Sequence, residues 1–97
     1  TLTDVPGVRV GHVTLNQGQG WMEVGKGPVR TGVTAILPHG ENIYQSKVRA
    51  AVATLNGHTK VAGLEQIREM GVIETPIVLT NTFSVGLAVD ALVQYTL

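Results

Sequence analysis

The chain has 97 residues, of which 43 % are hydrophobic and 14 % are charged, and its seven basic residues balance seven acidic ones. This length allows one domain at most, and the absence of cysteine excludes disulfides, thiol catalysis and cysteine-ligated zinc within it. The chain has no cluster of Lys or Arg and only one Trp, two Tyr and one Phe, which argues against a nucleic-acid-binding surface.

The charged fraction is low for a chain of this size. Soluble domains usually contain about 25 % charged residues, and a small domain needs them most because a large share of its residues lies at the surface. The low value therefore predicts that something else covers much of this surface. A membrane span is not predicted, because no apolar run approaches the roughly 18–20 residues that a spanning helix needs.

The first half of the chain is predicted to form strands. Residues 7–15 alternate partly between apolar and polar side chains, as in a strand with one wetter face. Residues 16–28 are rich in glycine and predict a hairpin connection or a mobile loop, and residues 31–37 predict a second strand. For residues 48–55 a strand is favoured over a helix, because β-branched side chains recur and the turn signal Asn56-Gly57 follows.

The second half is predicted to alternate helix and strand. Residues 59–70 predict an amphipathic helix with Gly71 as its left-handed C-terminal cap. Residues 77–79 run apolar without alternation, which predicts a short strand that is covered on both faces. Ser84 is predicted to cap a second helix, over residues 84–97.

This order of elements predicts an α+β or layered α/β domain. The helix predicted over residues 84–97 is apolar nearly all round, so it is expected to be buried on most sides. Nothing in a chain of 97 residues is large enough to surround it. The helix therefore predicts a partner chain, as the low charge does.

The polar residues between the last strand and the last helix are the best candidates for a functional site. Asn81 and Thr82 follow the strand directly, and an Asn amide or a Thr hydroxyl can donate to an oxyanion or hold a substrate amine or carbonyl. The free amides of the helix that follows would also attract negative charge. The alternative is that both side chains only tie down the corner through bonds to the local backbone.

Other residue types with chemical potential have simpler structural explanations. Arg30 could bind a carboxylate of a substrate or partner chain, but a structural ion pair or a solvated charge is favoured. The histidines, His12, His39 and His58, show no metal-ligand spacing and are expected on a strand face or in turns. No metal site is predicted, and Ser84 is better explained as a cap than as a nucleophile.

Three blocks of the sequence point to one family. Residues 3–12, 25–38 and 75–93 read TDVPGVRVGH, GKGPVRTGVTAILP and TPIVLTNTFSVGLAVDALV. In order and spacing they resemble the self-cleaving aminopeptidases of the DmpA type, also called the P1 or S58 peptidase family, which includes D-aminopeptidases and β-peptidyl aminopeptidases. The resemblance covers essentially the whole chain.

This resemblance implies a sandwich of two β-sheets between two helix layers, of which residues 1–97 form the N-terminal portion. Family members cut themselves into an α chain and a β chain, and the new N-terminal Ser or Thr of the β chain is the nucleophile. The sequence matches the front of the α chain, so no catalytic residue is expected in it, and Asn81 and Thr82 would line the site. No cofactor is implied.

The implied partners are the rest of the α chain and the β chain of the same precursor, and the processed heterodimers are expected to form homo-oligomers. The implied substrate is a small peptide or amino-acid amide. Two alternatives stay open: acyl transfer of the ornithine acetyltransferase type, which uses a Thr nucleophile in the same fold neighbourhood, and a non-enzymatic assembly module. The lack of cysteine fits a cytoplasmic location, with the periplasm as the alternative.

Overall fold

The computed structural model describes residues 1–17 and 29–97. These residues form a small mixed α/β fold, as the sequence predicts, and the strands of both sheets pair antiparallel. The strands are β1 (Arg9–Gln17), β2 (Val29–Leu37), β3 (Val48–Arg49), β4 (Val72–Ile73) and β5 (Ile77–Leu79), the α-helices are α1 (Leu64–Met70) and α2 (Val85–Thr96), and short 3-10 helices lie at Leu2–Asp4 and Thr82–Ser84.

Strand β2 is the central strand of the main sheet, which has the order β1-β2-β5. Both neighbours run antiparallel to it. Thr34 lies opposite His12 of β1 on one side and opposite Leu79 of β5 on the other. A second sheet consists of β3 and β4 alone, with Val48 opposite Ile73.

The structure confirms the strands predicted over residues 7–15, 31–37 and 77–79. The connection predicted over residues 16–28 lies largely outside the described residues. Its predicted start is wrong, because Asn16 and Gln17 belong to β1, where Gln17 lies opposite Val29 of β2 in the antiparallel ladder.

The third strand is shorter than predicted. It covers only Val48–Arg49, and the chain from residue 50 to residue 63 has no regular element. Alanines at positions 50, 51 and 53 offer small side chains that gain little from cross-strand packing, and the partner β4 has only two residues.

Glycines determine both ends of α1. The helix begins at Leu64 and not at residue 59, because Gly63 before it has φ +90°, a left-handed conformation that a continuing helix cannot contain. At the other end Gly71 forms the predicted left-handed cap, with φ +68° and its N–H donating to the Ile67 carbonyl at 2.8 Å.

A polar contact joins β1 to β2. His12 Nδ1 lies 2.5 Å from Thr34 Oγ1 across the strands, and His12 Nε2 lies 2.8 Å from Thr14 Oγ1 on the same strand. Glycine at position 32 makes room for this ring, since a Cβ there would lie 3.2 Å from His12 Nε2 and 3.1 Å from the Val13 carbonyl oxygen. His12 therefore lies on a strand face, as predicted, with Nδ1 contacting β2 and Nε2 contacting its own strand.

The described residues bury little of their own apolar surface. Ile43, at 5 % exposure, is their one buried hydrophobic residue, whereas Ile77 and Leu79 of β5 are exposed. The prediction that β5 is covered on both faces is therefore wrong for this chain by itself. Helix α2 lies where predicted, but its apolar side chains are also largely exposed: Leu87, Val89, Val93 and Tyr95.

Neither of the two described α-helices is long and apolar enough to cross a bilayer. The compartment stays a prediction.

Replacing Gly71 by Ala tests the cap of α1. Nothing lies within 4 Å of the position that the added Cβ would occupy, so the cost comes from the left-handed backbone alone. We expect Gly71→Ala to lower the free energy of unfolding by about 1–2 kcal/mol. Gly57→Ala is the matched control, because Gly57 also has open space but no left-handed φ. Equal stability of the two variants, measured by denaturant unfolding, would contradict the cap.

Candidate functional site

The candidate site is the corner where β5 passes into α2. Strand β5 ends at Leu79, Thr80 and Asn81 follow, and the 3-10 helix Thr82–Ser84 leads into α2. The backbone of Asn81 is extended, with φ −73° and ψ 161°, as expected for a residue that precedes a helix. The strand therefore presents its last polar residues directly at the start of the helical turns.

The Asn81 side chain caps this corner. Its Oδ1 accepts hydrogen bonds from the backbone N–H groups of Phe83 at 3.1 Å and Ser84 at 3.0 Å. The prediction that Ser84 caps the helix is wrong, since its side chain makes no capping hydrogen bond. The physical reason is the intervening 3-10 turn: the first free amides belong to Phe83 and Ser84, and Asn81 is the residue placed to receive them.

This cap occupies two amides at the corner, those of Phe83 and Ser84 in the 3-10 turn before α2. The expectation that free amides of α2 attract negative charge stays a prediction. The Asn81 NH₂ is a further group that the corner can offer to a ligand.

A second strand fixes the orientation of the Asn81 amide. Its Nδ2 donates to Thr31 Oγ1 in β2 at 3.3 Å, across 50 positions of sequence. Because Oδ1 accepts two backbone hydrogen bonds, the NH₂ group must point away from the helix start. An amide NH₂ has two donor hydrogens, and within the described residues only one acceptor, Thr31, contacts it. Asn81 is an exposed residue, and its second amide hydrogen has no acceptor among the described residues.

The hydroxyl groups of the two neighbouring threonines are less constrained by hydrogen bonds than the Asn81 amide. Thr82 is exposed, and its hydroxyl makes no hydrogen bond within the described part of the chain. The Thr80 hydroxyl oxygen is buried and also has no partner among the described residues. Both predicted site residues, Asn81 and Thr82, thus lie at the same corner, and only Asn81 is held in a defined orientation by hydrogen bonds.

Among the other candidates from the sequence, those with described side chains form no chemical cluster at this corner. Arg30 precedes Thr31 in β2, and its side chain lies outside what the structure describes. His39 is held locally, with Nε2 donating to the Ser46 carbonyl at 2.7 Å and Nδ1 accepting from the Glu41 N–H at 3.0 Å. Across residues 1–17 and 29–97, no group of His, Asp and Glu side chains is arranged to hold a metal ion.

Thr31 is the site residue that sequence reasoning missed. It lies within an apparently ordinary strand, and nothing local in the sequence marks it. Its contact with Asn81 arises from the antiparallel pairing of β2 with β5, in which Thr34 lies opposite Leu79. Only that register brings Thr31 and the residues after β5 together.

Comparison with known proteins places the chain in a family. The sequence pattern of peptidase family S58 matches residues 1–97. The chain belongs to peptidase family S58. This confirms the resemblance to the DmpA-type peptidases that the three sequence blocks indicate.

Similar proteins agree with this membership. The chain is 47 % identical over 94 residues to the β-peptidyl aminopeptidase BapA of Sphingosinicella microcystinivorans, and 42 % identical over 95 residues to the BapA of Sphingosinicella xenopeptidilytica. The structure superposes on the crystal structure of the PH0078 protein from Pyrococcus horikoshii OT3 with a TM-score of 0.93, at 60 % identity and over 98 % of this S58 chain.

The 97 residues of this S58 chain span about a quarter of these relatives. The segments aligned with the two BapA sequences cover 97 % and 98 % of this chain, but only 24 % and 23 % of those sequences. The corresponding share of the PH0078 chain is 27 %. The activity of the full-length relatives is therefore only proposed for this chain.

The capping arrangement makes a direct prediction about stability. Asn81→Ala removes the acceptor of the Phe83 amide and one of the two acceptors of the Ser84 amide, which also donates to the Asn81 carbonyl at 3.1 Å. We expect a loss of about 0.5–2 kcal/mol in the free energy of unfolding. Ser84→Ala should change it much less, because the Ser84 side chain caps nothing. Denaturant unfolding of both variants checks this order, and a larger loss for Ser84→Ala would overturn the assignment of the cap.

Proposed function

We propose that this S58 chain is part of an aminopeptidase that hydrolyses an amide or ester bond next to a free amino terminus. Membership of the family and the aminopeptidase names of both curated relatives support this. The structural observation that carries the role of this chain is the orientation of Asn81. Its oxygen is occupied by two backbone amides, so the side chain can offer a ligand only its NH₂.

The proposed mechanism is acyl transfer through a nucleophile outside these 97 residues. Self-cleavage of a precursor releases a β chain whose first residue is Ser or Thr. Its hydroxyl oxygen attacks the substrate carbonyl carbon, while its own α-amine or a neighbouring group takes the hydroxyl proton. The carbon–nitrogen bond of an amide then breaks, the amine leaves with a proton, and an ester-linked acyl-enzyme remains. Water hydrolyses that ester and restores the hydroxyl.

The proposed part of Asn81 is to donate a hydrogen bond to the oxygen that becomes negative during each attack. A preorganised donor stabilises such an oxyanion more than it stabilises the neutral carbonyl, which is what accelerates the reaction. Thr82 is proposed to line the same site, with its exposed hydroxyl as a further group for the substrate. No step of this scheme needs a metal or cofactor.

The proposed architecture is an αββα sandwich that the rest of the α chain and the β chain complete. The exposed apolar side chains on the β1-β2-β5 sheet and on α2 support a covering chain, since surfaces of this kind are rarely left to water. Processed heterodimers are proposed to assemble further into homo-oligomers. The substrates are proposed to be small peptides or amino-acid amides.

Analysis of every chain in the purified protein tests the processing step. Intact mass and N-terminal sequencing should find a second polypeptide that begins with Ser or Thr. Replacing that first residue by Ala should abolish hydrolysis of amino-acid and β-amino-acid p-nitroanilides, because the attacking oxygen is lost. A single uncleaved polypeptide with full activity would refute the proposed mechanism.

The substitution Asn81→Asp tests the proposed donor separately from the cap. An aspartate can still accept hydrogen bonds from the Phe83 and Ser84 amides, but it replaces the NH₂ by an oxygen that repels an oxyanion. We expect kcat to fall on the order of 10²–10³, with little change in thermal stability. Ser84→Ala is the control and should retain wild-type kcat. Unchanged turnover in Asn81→Asp would show that Asn81 is only structural.

A further inference from the structure

Helix α2 and the turn before it carry a row of exposed apolar side chains. We call this row, Phe83, Leu87, Ala91 and Tyr95, the α2 ridge. Phe83 is 100 % exposed, Leu87 75 % and Tyr95 66 %, and Ala91 is exposed as well. A spacing of four residues places side chains along one side of a helix. The ridge therefore forms one continuous strip that starts in the 3-10 turn and runs to the last turn of α2.

The ridge differs from the polar strip beside it. Asp90 and Gln94 lie next to it on α2, and Gln94 Nε2 donates to Asp90 Oδ2 at 2.9 Å, a pair that suits contact with water. The ridge offers water no comparable group apart from the Tyr95 hydroxyl. Rows of side chains four residues apart are also those that fit into the grooves of a packed neighbour. The ridge thus has the form of a docking surface.

The position of the ridge indicates which neighbour this is. Its first residue, Phe83, lies in the candidate site, because its backbone N–H donates to Asn81 Oδ1 at 3.1 Å. A chain that covers Phe83 therefore comes close to Asn81. The proposed reaction needs a nucleophile at that place, and no residue of this chain is proposed to supply it.

Most of each BapA sequence lies outside the matched segment and is long enough to include a chain that carries the nucleophile. This chain spans only 24 % and 23 % of the two BapA sequences. We propose that the α2 ridge is the docking surface of the chain that carries the nucleophile. Contact along the ridge would hold that chain's first residue next to Asn81. This inference rests on the proposed function and names the place where the two processed chains meet.

Photo-crosslinking in the complete, processed protein tests the occupant directly. A benzophenone amino acid is placed at Leu87, and in a second variant at Tyr95, and the irradiated protein is analysed by mass spectrometry. We expect a covalent product whose mass is the sum of the two chains, with the crosslinked peptide in the chain that begins with Ser or Thr. The same probe at Gln94, on the polar strip, is the control and should give little or none of this product.

A crosslink between two copies of the chain containing Leu87 would overturn the inference, because the ridge would then be an interface between copies. A crosslink to that chain's own later residues, or none above the Gln94 control, would overturn it as well. These results differ from failure of the proposed function, which N-terminal sequencing reveals as the absence of any chain beginning with Ser or Thr.

A substitution supplies a second measurement. Leu87→Asp introduces a charge on a side chain that is 75 % exposed in this chain, so the local fold should tolerate it. We expect native mass spectrometry to show loss of the nucleophile-bearing chain from the complex. Gln94→Glu, which adds the same charge on the polar strip, should retain it. Equal retention in both variants would contradict docking along the ridge.

Discussion

The pairing of β2 with a strand on each side is the interaction on which the rest of the described structure depends. Nine residue pairs join β2 to β1, and three more join it to β5. Because β5 is only three residues long, its pairing with β2 is what places the following corner beside Thr31. The contact of His12 with Thr34, with Gly32 leaving room for the ring, supports the same central strand from its other side.

The two polar atoms of the Asn81 side chain have different partners. The sequence offers a structural and a functional explanation for this residue as alternatives. In the structure the oxygen performs the structural task by accepting from two backbone amides, and this leaves the NH₂ facing outward. The hydrogen bonds that hold the corner thereby decide that Asn81 offers a donor and not an acceptor, which is the polarity that an oxyanion requires.

The exposed apolar surface has a bearing on the proposed chemistry. A hydrogen-bond donor in open water competes with solvent, whereas the same donor in a water-excluded site acts at low dielectric and is worth much more. Asn81 and Phe83 are both exposed in this chain. A chain that covers Phe83 and the α2 ridge would therefore also exclude water from the Asn81 amide. Assembly and activation of the corner would then be one event.

The sequence by itself determined the family, the location of the polar corner and the order of the longer elements, but not strand β4 or the two 3-10 helices. Local sequence patterns are enough to predict several elements correctly: the strands over 31–37 and 77–79, the cap at Gly71 and the apolar last helix. The covering partner that the low charge predicts stays a prediction, while the structure shows that these residues bury little of their own apolar surface. Local rules failed at residues 48–55, where a strand needs a partner long enough to pair with and β4 has only two residues.

Only the tertiary structure decided which residue caps the corner and which residue orients the Asn81 amide. The 3-10 turn shifts the first free amides so that Asn81, and not Ser84, receives them. Thr31 meets Asn81 across 50 positions because β2 and β5 pair in one register, and a register is a relation between distant segments that no local pattern contains.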